Sequence, residues 1–189
     1  WRSTSLAMAC AMRPIPTRIN LMVTCDIPRI ETERLILRPM RMEDWPAYET
    51  MLGSSRSVHM GGPFDTIGAW GMFCNDAAQW CLLRHGALMI DVKSIGVCVG
   101  QVGINYGPLF PEHELGWLLY PDAEGKGFAR EAAIAMRKWA FDVRGLTTLV
   151  SYIDPDNVRS IRLAERLGAT LDRDARGYHS GDLVYRHPK

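Results

Sequence analysis

The chain has 189 residues, which suits one domain with a substantial buried core. Hydrophobic residues make up 47% of it, charged residues 23%, and the formal net charge is +1, all ordinary for a soluble globular protein. The charge gives no reason to expect a nucleic-acid partner, and no apolar run reaches the roughly 18 residues that a membrane span needs. We therefore expect a cytoplasmic protein whose partners include neither nucleic acid nor membrane.

The cysteines are odd in number and scattered through apolar surroundings. They are Cys10, Cys25, Cys74, Cys81 and Cys98. No Cys-x-x-Cys pair and no Cys/His cluster with metal-ligand spacing is present. We interpret all five as reduced small hydrophobic residues and expect no metal site.

The first 26 residues differ from the rest of the chain. They show no helical or strand period, Pro14 and Pro16 interrupt them, and their short apolar stretch is poorly flanked for a signal peptide. We expect residues 1–26 to be a disordered or non-native extension, and residues 27–189 to form a single domain.

The first half of that domain predicts a strand, two helices and a hairpin. In chain order these are a strand over 29–38, a helix over 42–52, a loop over 54–64, a helix capped by Thr66, and strands over 87–92 and 97–106. Gly100 and Gly103 in the last strand indicate a bulge or a close backbone approach.

The second half alternates strands and helices. In chain order it predicts a strand over 114–120, a glycine-containing loop, a helix with an apolar stripe from Ala129 to Val143, a strand over 147–153, a helix over 157–167, and strands over 171–173 and 182–186. A helix crosses between strands 114–120 and 147–153, so we expect these two to be parallel. The whole pattern predicts one α+β domain.

The loop Glu124-Gly-Lys-Gly-Phe-Ala connects a strand to the start of a helix. Unpaired N–H groups at such a junction favour a bound anion, commonly a phosphate. A dinucleotide-binding fingerprint needs a third small residue where Arg130 stands, and the Gly-Lys-Ser/Thr of a P-loop is absent. Both nucleotide motifs therefore fit poorly.

Several segments together resemble the GCN5-related N-acetyltransferase (GNAT) superfamily, and most closely its RimJ/RimL-like branch. The resemblance covers roughly Ile30 to Pro188 and is carried by TERLILRP from Thr32, ELGW from Glu114, GKGFA from Gly125, the pair Glu131-Ala132, NVRS from Asn157 and ERLGA from Glu165. The family loop motif begins with Gln or Arg, and Glu124 departs from it.

The resemblance implies a mixed, mostly antiparallel sheet with a central pair of splayed parallel strands, flanked by helices, and acetyl-CoA as co-substrate between those strands. The cofactor-binding residues that it implies are Leu118, Leu119, Tyr120, Gly125, Lys126, Gly127, Phe128, Ala129, Arg130, Asn157 and Ser160. A simple helix-capping role is the alternative for Asn157. No metal is implied.

The resemblance also implies catalytic roles. Glu114 is the candidate general base, with a solvated or substrate-orienting carboxylate as the alternative; Glu112 and His113 are weaker candidates. Ala164 stands where many relatives have a tyrosine acid, so Ser160 is the candidate replacement, and release of the thiolate aided by backbone amides and water is equally admissible.

The acceptor implied is a primary amine, either a protein N-terminus or a small molecule. We expect the binding site of the acceptor to be formed by the 54–70 loop, the second helix, the 106–113 loop and the 174–182 hairpin. These segments contain Phe64, Trp70, Tyr106 and His179. The near-neutral domain charge does not favour a strongly cationic substrate. A non-catalytic acyl-CoA-binding module and, more distantly, a nicotinamide oxidoreductase remain alternatives, and a homodimer is admissible.

Overall fold

A computed structural model describes residues 25–189 of the chain. The extension expected over residues 1–26 therefore lies almost wholly outside the described residues. Within residues 25–189, no helix is both long enough and apolar enough to cross a membrane.

The fold is built on an eight-stranded, mostly antiparallel sheet with the strand order β1-β2-β3-β4-β5-β6-β8-β7. The strands are β1 (Ile30–Glu31), β2 (Leu35–Arg38), β3 (Ala87–Val92), β4 (Val97–Asn105), β5 (Glu114–Leu119), β6 (Val150–Ile153), β7 (Thr170–Leu171) and β8 (Leu183–Arg186). Among the strands of residues 25–189, β5 and β6 alone pair in parallel. The predicted α+β class, the mostly antiparallel sheet and its central parallel pair are confirmed.

Helices cover both faces of the sheet. They are α1 (Trp45–Leu52), α2 (Thr66–Leu83), α3 (Phe128–Asp142) and α4 (Val158–Arg166), with short 3₁₀ turns at Met42–Asp44, Ser55–Met60 and Pro121–Ala123. Successive residues of β5 face opposite sides because a strand has a two-residue period. Leu115 joins the core under α3, whereas Leu118 packs with Tyr48 of α1 and Phe73 of α2.

The apolar stripe of α3 forms much of the core on its side. Ala132, Ala133, Met136 and Ala140 are fully buried, as their helical spacing predicts. Val143 was also expected in this stripe, but its side chain is 69% exposed. The helix ends at Asp142, so the helical period no longer orients the residue that follows.

Three predicted boundaries are wrong for local reasons. The strand expected over 29–38 is two antiparallel strands, because Thr32 forms a turn in which its N–H donates to the Leu35 carbonyl at 3.0 Å and its Oγ1 accepts the Leu35 N–H at 3.0 Å. Asp65, not Thr66, caps α2 by accepting the Gly68 N–H at 2.7 Å. The strand expected over 147–153 begins only at Val150.

The expectation of five reduced cysteines is wrong for two of them. Cys25 and Cys81 are joined in a disulfide, with Cα atoms 5.0 Å apart, whereas Cys74 and Cys98 are free. Cys10 lies outside the described residues. The two bonded residues are 56 positions apart, so no spacing in the sequence predicted the pair.

A buried arginine fixes the start of α1 against the sheet. Arg38, at the end of β2, binds Asp44 through two hydrogen bonds of 2.7 and 2.8 Å, and its Nε donates to Asp91 of β3 at 2.6 Å. The Arg38 residue is only 6% exposed. The hydrogen bonds that Arg38 donates to Asp44 and Asp91 outweigh burial and raise the pKa of Arg38 above its ordinary value.

We predict that Arg38→Met destabilises the domain by about 3–5 kcal/mol, because Asp44 and Asp91 lose their buried counter-ion. Urea unfolding followed by fluorescence measures this change. Arg29→Met is the control, because Arg29 pairs with Glu31 in an exposed bridge that we expect to contribute little. Equal stability of the two variants would contradict the prediction.

Candidate active site

The two parallel strands at the centre of the sheet separate almost as soon as they meet. Their only register pair joins Glu114 to Val150, supported by the Val150 N–H donating to the His113 carbonyl at 3.0 Å. One residue further on, the Ser151 hydroxyl bridges the strands by donating to the Leu115 carbonyl at 2.6 Å. Beyond it, β5 pairs only with β4 and β6 only with β8. A cleft therefore opens in the sheet beside Gly116–Leu119.

The glycine loop lies at the wide end of this cleft. Gly125 and Gly127 have φ of +73° and +80°, values that side-chain-bearing residues rarely adopt, and Gly127 caps the start of α3. Within the described residues, the N–H groups of residues 125–130 make no hydrogen bond, and the first helical bond here is from Glu131 N–H to the Gly127 carbonyl at 3.1 Å. Successive free donors at a helix start form a cradle for an anion.

Arg34 binds both this loop and the first turn of α3. The Glu131 carboxylate accepts hydrogen bonds from Thr32 Oγ1 at 2.6 Å, from Arg34 N–H at 2.8 Å and from Arg34 Nε at 2.7 Å. Arg34 Nη1 donates to the Lys126 carbonyl at 3.0 Å, and the guanidinium lies 4.9 Å from the Phe128 ring centroid. The β1–β2 turn, the loop and the first turn of α3 thus form one bonded unit.

A cavity of about 560 Å³ occupies the cleft and the space before the loop. The predicted residues that line it are Leu118, Leu119, Gly125, Gly127, Ala129, Arg130, Asn157 and Ser160. Tyr120, Lys126 and Phe128 are outside its lining. The Tyr120 N–H donates to the Val99 carbonyl at 2.9 Å, away from the cleft, and the Phe128 side chain is buried in the core.

The lining of this first cavity is strongly basic. In the described part of the chain, five arginines contribute to it, namely Arg56, Arg130, Arg159, Arg162 and Arg166, against a single carboxylate, Glu124. Glu124 binds Arg56 and accepts from Arg159 Nη1 at 2.9 Å. Although burial raises the pKa of Glu124, the hydrogen bonds and charges of these arginines hold it below its ordinary value.

A second cavity of about 260 Å³ adjoins the first on the α2 side of the sheet. Both cavities share six lining residues, which mark where they meet: His59, Met60, Trp117, Leu118, Asn157 and Ser160. Part of its floor is made by Gly103 and Gly116, which lie opposite each other in the β4–β5 register. At Gly103 there is no room for a side chain, because an added Cβ would lie 2.8 Å from the Cα of Ala87 in β3.

Glu114 lines only the second cavity. The carboxylate is half-buried, accepts from Asn105 Nδ2 at 3.0 Å and also accepts the Tyr152 N–H. Burial raises its pKa to about 7, aided by the nearby charges of Asp182 and Asp76 and opposed by the two hydrogen bonds. A carboxylate with this pKa can exchange a proton near neutral pH.

Asp76 of α2 is a second buried carboxylate in this cavity. It is 9% exposed and accepts from the Tyr48 hydroxyl at 2.8 Å and from Gln101 Nε2 at 3.1 Å. Burial raises its pKa to about 6, and those hydrogen bonds limit the rise. The sequence alone did not suggest this residue, since it lies in the middle of a helix.

Ser160 and Asn157 lie where the two cavities meet. Asn157 Oδ1 accepts the Ser160 N–H at 3.2 Å, so Asn157 caps α4 as its alternative interpretation predicted, and it lines both cavities as well. Ser160 Oγ accepts from Trp117 Nε1 at 3.3 Å, which leaves its own proton available to donate. Ala164, where many relatives have tyrosine, is fully buried in the core.

His59 is a candidate that the sequence analysis missed. It follows α1 in the Ser55–Met60 turn and lines both cavities, and its Nδ1 lies 2.9 Å from Asp154 Oδ2 after β6. That contact leaves Nε2 as the ring nitrogen open to proton exchange. The hydrogen bond from His59 lowers the pKa of Asp154. The residues are 95 positions apart, so only the fold could reveal them.

Several residues that were expected to form the acceptor site do not line the second cavity. Phe64 and Trp70 pack in the aromatic cluster of α1 and α2, and Tyr106 stacks on His113 at 4.1 Å. Of the four aromatic residues named from the sequence, only His179 contributes to the lining. Phe110, Tyr152 and Tyr178 contribute instead.

The weaker base candidates are held outside both cavities. Glu112 forms a bidentate ion pair with Arg186, with both distances at 2.8 Å, and accepts from Thr148 at 2.8 Å. His113 stacks on Tyr106, and burial lowers its pKa.

Comparison with known proteins agrees with this architecture. The family model described as "Acetyltransferase (GNAT) domain" matches residues 34–170. A crystal structure of an acetyltransferase from Agrobacterium tumefaciens has a TM-score of 0.84 and 55% identity, covering 86% of this chain and 95% of that one. The uncharacterised N-acetyltransferase YnaD of Bacillus subtilis is 25% identical over 147 residues, which is 74% of this chain and 81% of YnaD.

The same fold occurs in RimL, a ribosomal-protein acetyltransferase solved with coenzyme A, at a TM-score of 0.68 and 15% identity, covering 85% of this chain and 97% of RimL. The family model covers well over half of this chain, and that family consists of enzymes that use acetyl-CoA. The chain belongs to the GNAT acetyltransferase family and is an acyltransferase.

Proposed function

We propose that the protein is an N-acetyltransferase that transfers an acetyl group from acetyl-CoA directly to a primary amine in a ternary complex. The observation that carries this proposal is the meeting of two cavities at Ser160 and Trp117, where β5 and β6 separate. One cavity is large and basic, and the other is small and contains Glu114. Similarity to RimL supports a place in the RimJ/RimL-like branch, and dependence on acetyl-CoA fits a cytoplasmic location.

The first cavity suits coenzyme A by charge and by backbone geometry. The free N–H groups of residues 125–130 would receive the pyrophosphate, and the surrounding arginines would add favourable potential. The edge of β5 beside the cleft, at Leu118 and Leu119, would bind the pantetheine amides as an added strand. The Leu119 carbonyl accepts a hydrogen bond from Arg56 Nη2 at 3.4 Å. Asn157 and Ser160 would contact the cofactor from the start of α4.

Acetyl transfer requires the amine to lose a proton, because a free amine is mostly protonated at neutral pH. Glu114 would accept that proton, directly or through one water, before the nitrogen attacks the thioester carbonyl carbon. The carbon–sulfur bond then breaks, the nitrogen loses a second proton to give the neutral amide, and the departing thiolate takes a proton. Ser160, with its hydroxyl at the junction of the cavities, would supply this proton. Many relatives have a tyrosine for this purpose at the position of Ala164.

We predict that Glu114→Gln lowers kcat/KM by roughly 10²-fold or more, because the amide keeps a hydrogen-bond acceptor but cannot take a proton. In the wild type, kcat/KM should rise with pH through about 7, where Glu114 ionises. The variant should lose this step. Release of free thiol over a panel of amines from pH 5.5 to 9 measures both effects.

Acetyl-CoA affinity is the control for Glu114→Gln and should stay unchanged, since Glu114 does not line the first cavity. A variant that keeps wild-type activity and pH dependence would contradict the role of Glu114 as base. A wild-type protein that binds acetyl-CoA yet acetylates no amine would contradict the proposed function.

The proton donor can be tested by comparing Ser160 with His59, another polar residue at the junction. We predict that Ser160→Ala lowers kcat by about tenfold, with a smaller effect on amine KM, because the thiolate loses its donor. His59→Gln should have the smaller effect on kcat. A larger loss in His59→Gln, together with loss of a pH-dependent step, would assign the donor to His59 and contradict the role of Ser160.

The departure of Glu124 from the family motif generates a further prediction. Glu124→Gln should tighten acetyl-CoA binding several-fold, because it removes a negative charge from the cavity and frees Arg56 and Arg159 for the phosphates. Calorimetric titration measures the affinity. Asp122→Asn is the matched control, since Asp122 is exposed on the same loop and outside the cavity lining. Weaker binding in Glu124→Gln would show instead that Glu124 is needed to hold the arginines in place.

A further inference from the structure

The charged residues that line the two cavities differ in sign. The basic lining of the first cavity contrasts with that of the second, which has four carboxylates and, among the described residues, no lysine or arginine. The carboxylates are Asp76, Glu114, Asp154 and Asp182. The near-neutral net charge of the sequence conceals this separation.

Only one of these four carboxylates has a titratable cationic partner among the described residues. Asp154 pairs with His59, whereas Asp76 is bonded to a phenol and an amide, and Glu114 to an amide and a backbone N–H. Asp182 Oδ2 accepts the His179 N–H at 2.6 Å. Three carboxylates in a cavity of about 260 Å³ thus lack a side-chain counter-ion. A cationic ligand would supply the counter-ion that these carboxylates lack and would favour their charged forms.

Aromatic rings form an independent feature of the same cavity. Phe110 stacks on Tyr178 with centroids 4.6 Å apart, and Tyr152 lies 6.5 Å from Phe110 and 6.3 Å from Tyr178. All three line the cavity, together with Asp182 of the hairpin before β8. Ring faces beside a carboxylate are a common environment for ammonium groups.

We propose that the acceptor is a small dication, a linear alkyl diamine with a second ammonium group a few carbons from the reacting nitrogen. This inference rests on the proposed function. Glu114 receives the proton of the reacting nitrogen, while Asp182 and the three rings bind the distal ammonium. Asp76 adds negative potential from the α2 side. The volume of the cavity limits the acceptor to a small molecule.

The same charges act against other amines. An amino acid would bring its carboxylate into a cavity that already holds uncompensated negative charge, which is unfavourable. An alkyl monoamine avoids that repulsion but leaves Asp182 without a counter-ion. The structure therefore ranks three acceptors of equal length: diamine first, monoamine second and ω-amino acid last.

The test measures kcat/KM for 1,4-diaminobutane, butylamine and 4-aminobutanoic acid with saturating acetyl-CoA. We expect the diamine to exceed the monoamine by about tenfold or more, and the amino acid to be the poorest of the three. Asp182→Asn should bring the ratio of kcat/KM for diamine to that for butylamine close to one, and this ratio cancels any effect of the lost charge on Glu114. Asp174→Asn is the matched control, since Asp174 is exposed on the same hairpin and outside the cavity lining.

The outcomes separate the two proposals. Equal turnover of diamine and monoamine, or preference for the amino acid, would overturn the dication acceptor while leaving the acetyltransferase function intact. If neither these three compounds nor any other amine is acetylated, the proposed function itself is contradicted. Calorimetric binding of the diamine to the CoA-bound protein gives a readout independent of catalysis, and its loss in Asp182→Asn is the expected result.

Discussion

The separation of β5 from β6 is the constraint on which the rest of the site depends. A single register pair and the Ser151 bridge hold the two strands together at one end, while each strand keeps its partner on the outer edge. The sheet therefore remains continuous while a cleft opens through it. Buried backbone groups normally find partners, so the free edge of β5 is a place where a bound amide chain would complete the sheet. Both cavities exist because of this cleft.

The second requirement is a rigid loop beside the cleft. Free N–H groups bind an anion well only if they are held in position before it arrives, since ordering them on binding would cost conformational entropy. Arg34 and Glu131 provide that support through bonds to the β1–β2 turn, the loop carbonyl of Lys126 and the first turn of α3. The site then places arginines on one side of the cleft and carboxylates on the other, which would orient a polyanionic co-substrate and a cationic acceptor.

Local patterns and motifs predicted the fold, the parallel pair and the loop, because strand period, helix period and glycine spacing are all short-range signals. The TERLILRP segment and the Glu131-Ala132 pair were recognised as motifs, and the structure gives their physical reason, the bonded unit around Arg34. Contacts between distant positions could not be predicted. His59 with Asp154, Glu124 with Arg56, and Cys25 with Cys81 each join segments whose spacing carries no signal. The role of Glu114 remains a prediction from family resemblance, although its raised pKa is compatible with it.

Hydrogen–deuterium exchange of the protein with and without coenzyme A tests the central claim most directly, because it reports on the backbone groups on which the account depends. We expect binding to slow exchange in peptides covering residues 125–130 and 116–119, with little change in β2, β3 or β8. Binding of coenzyme A without protection of residues 125–130, or protection confined to another part of the domain, would contradict the placement of the co-substrate in the cleft between β5 and β6.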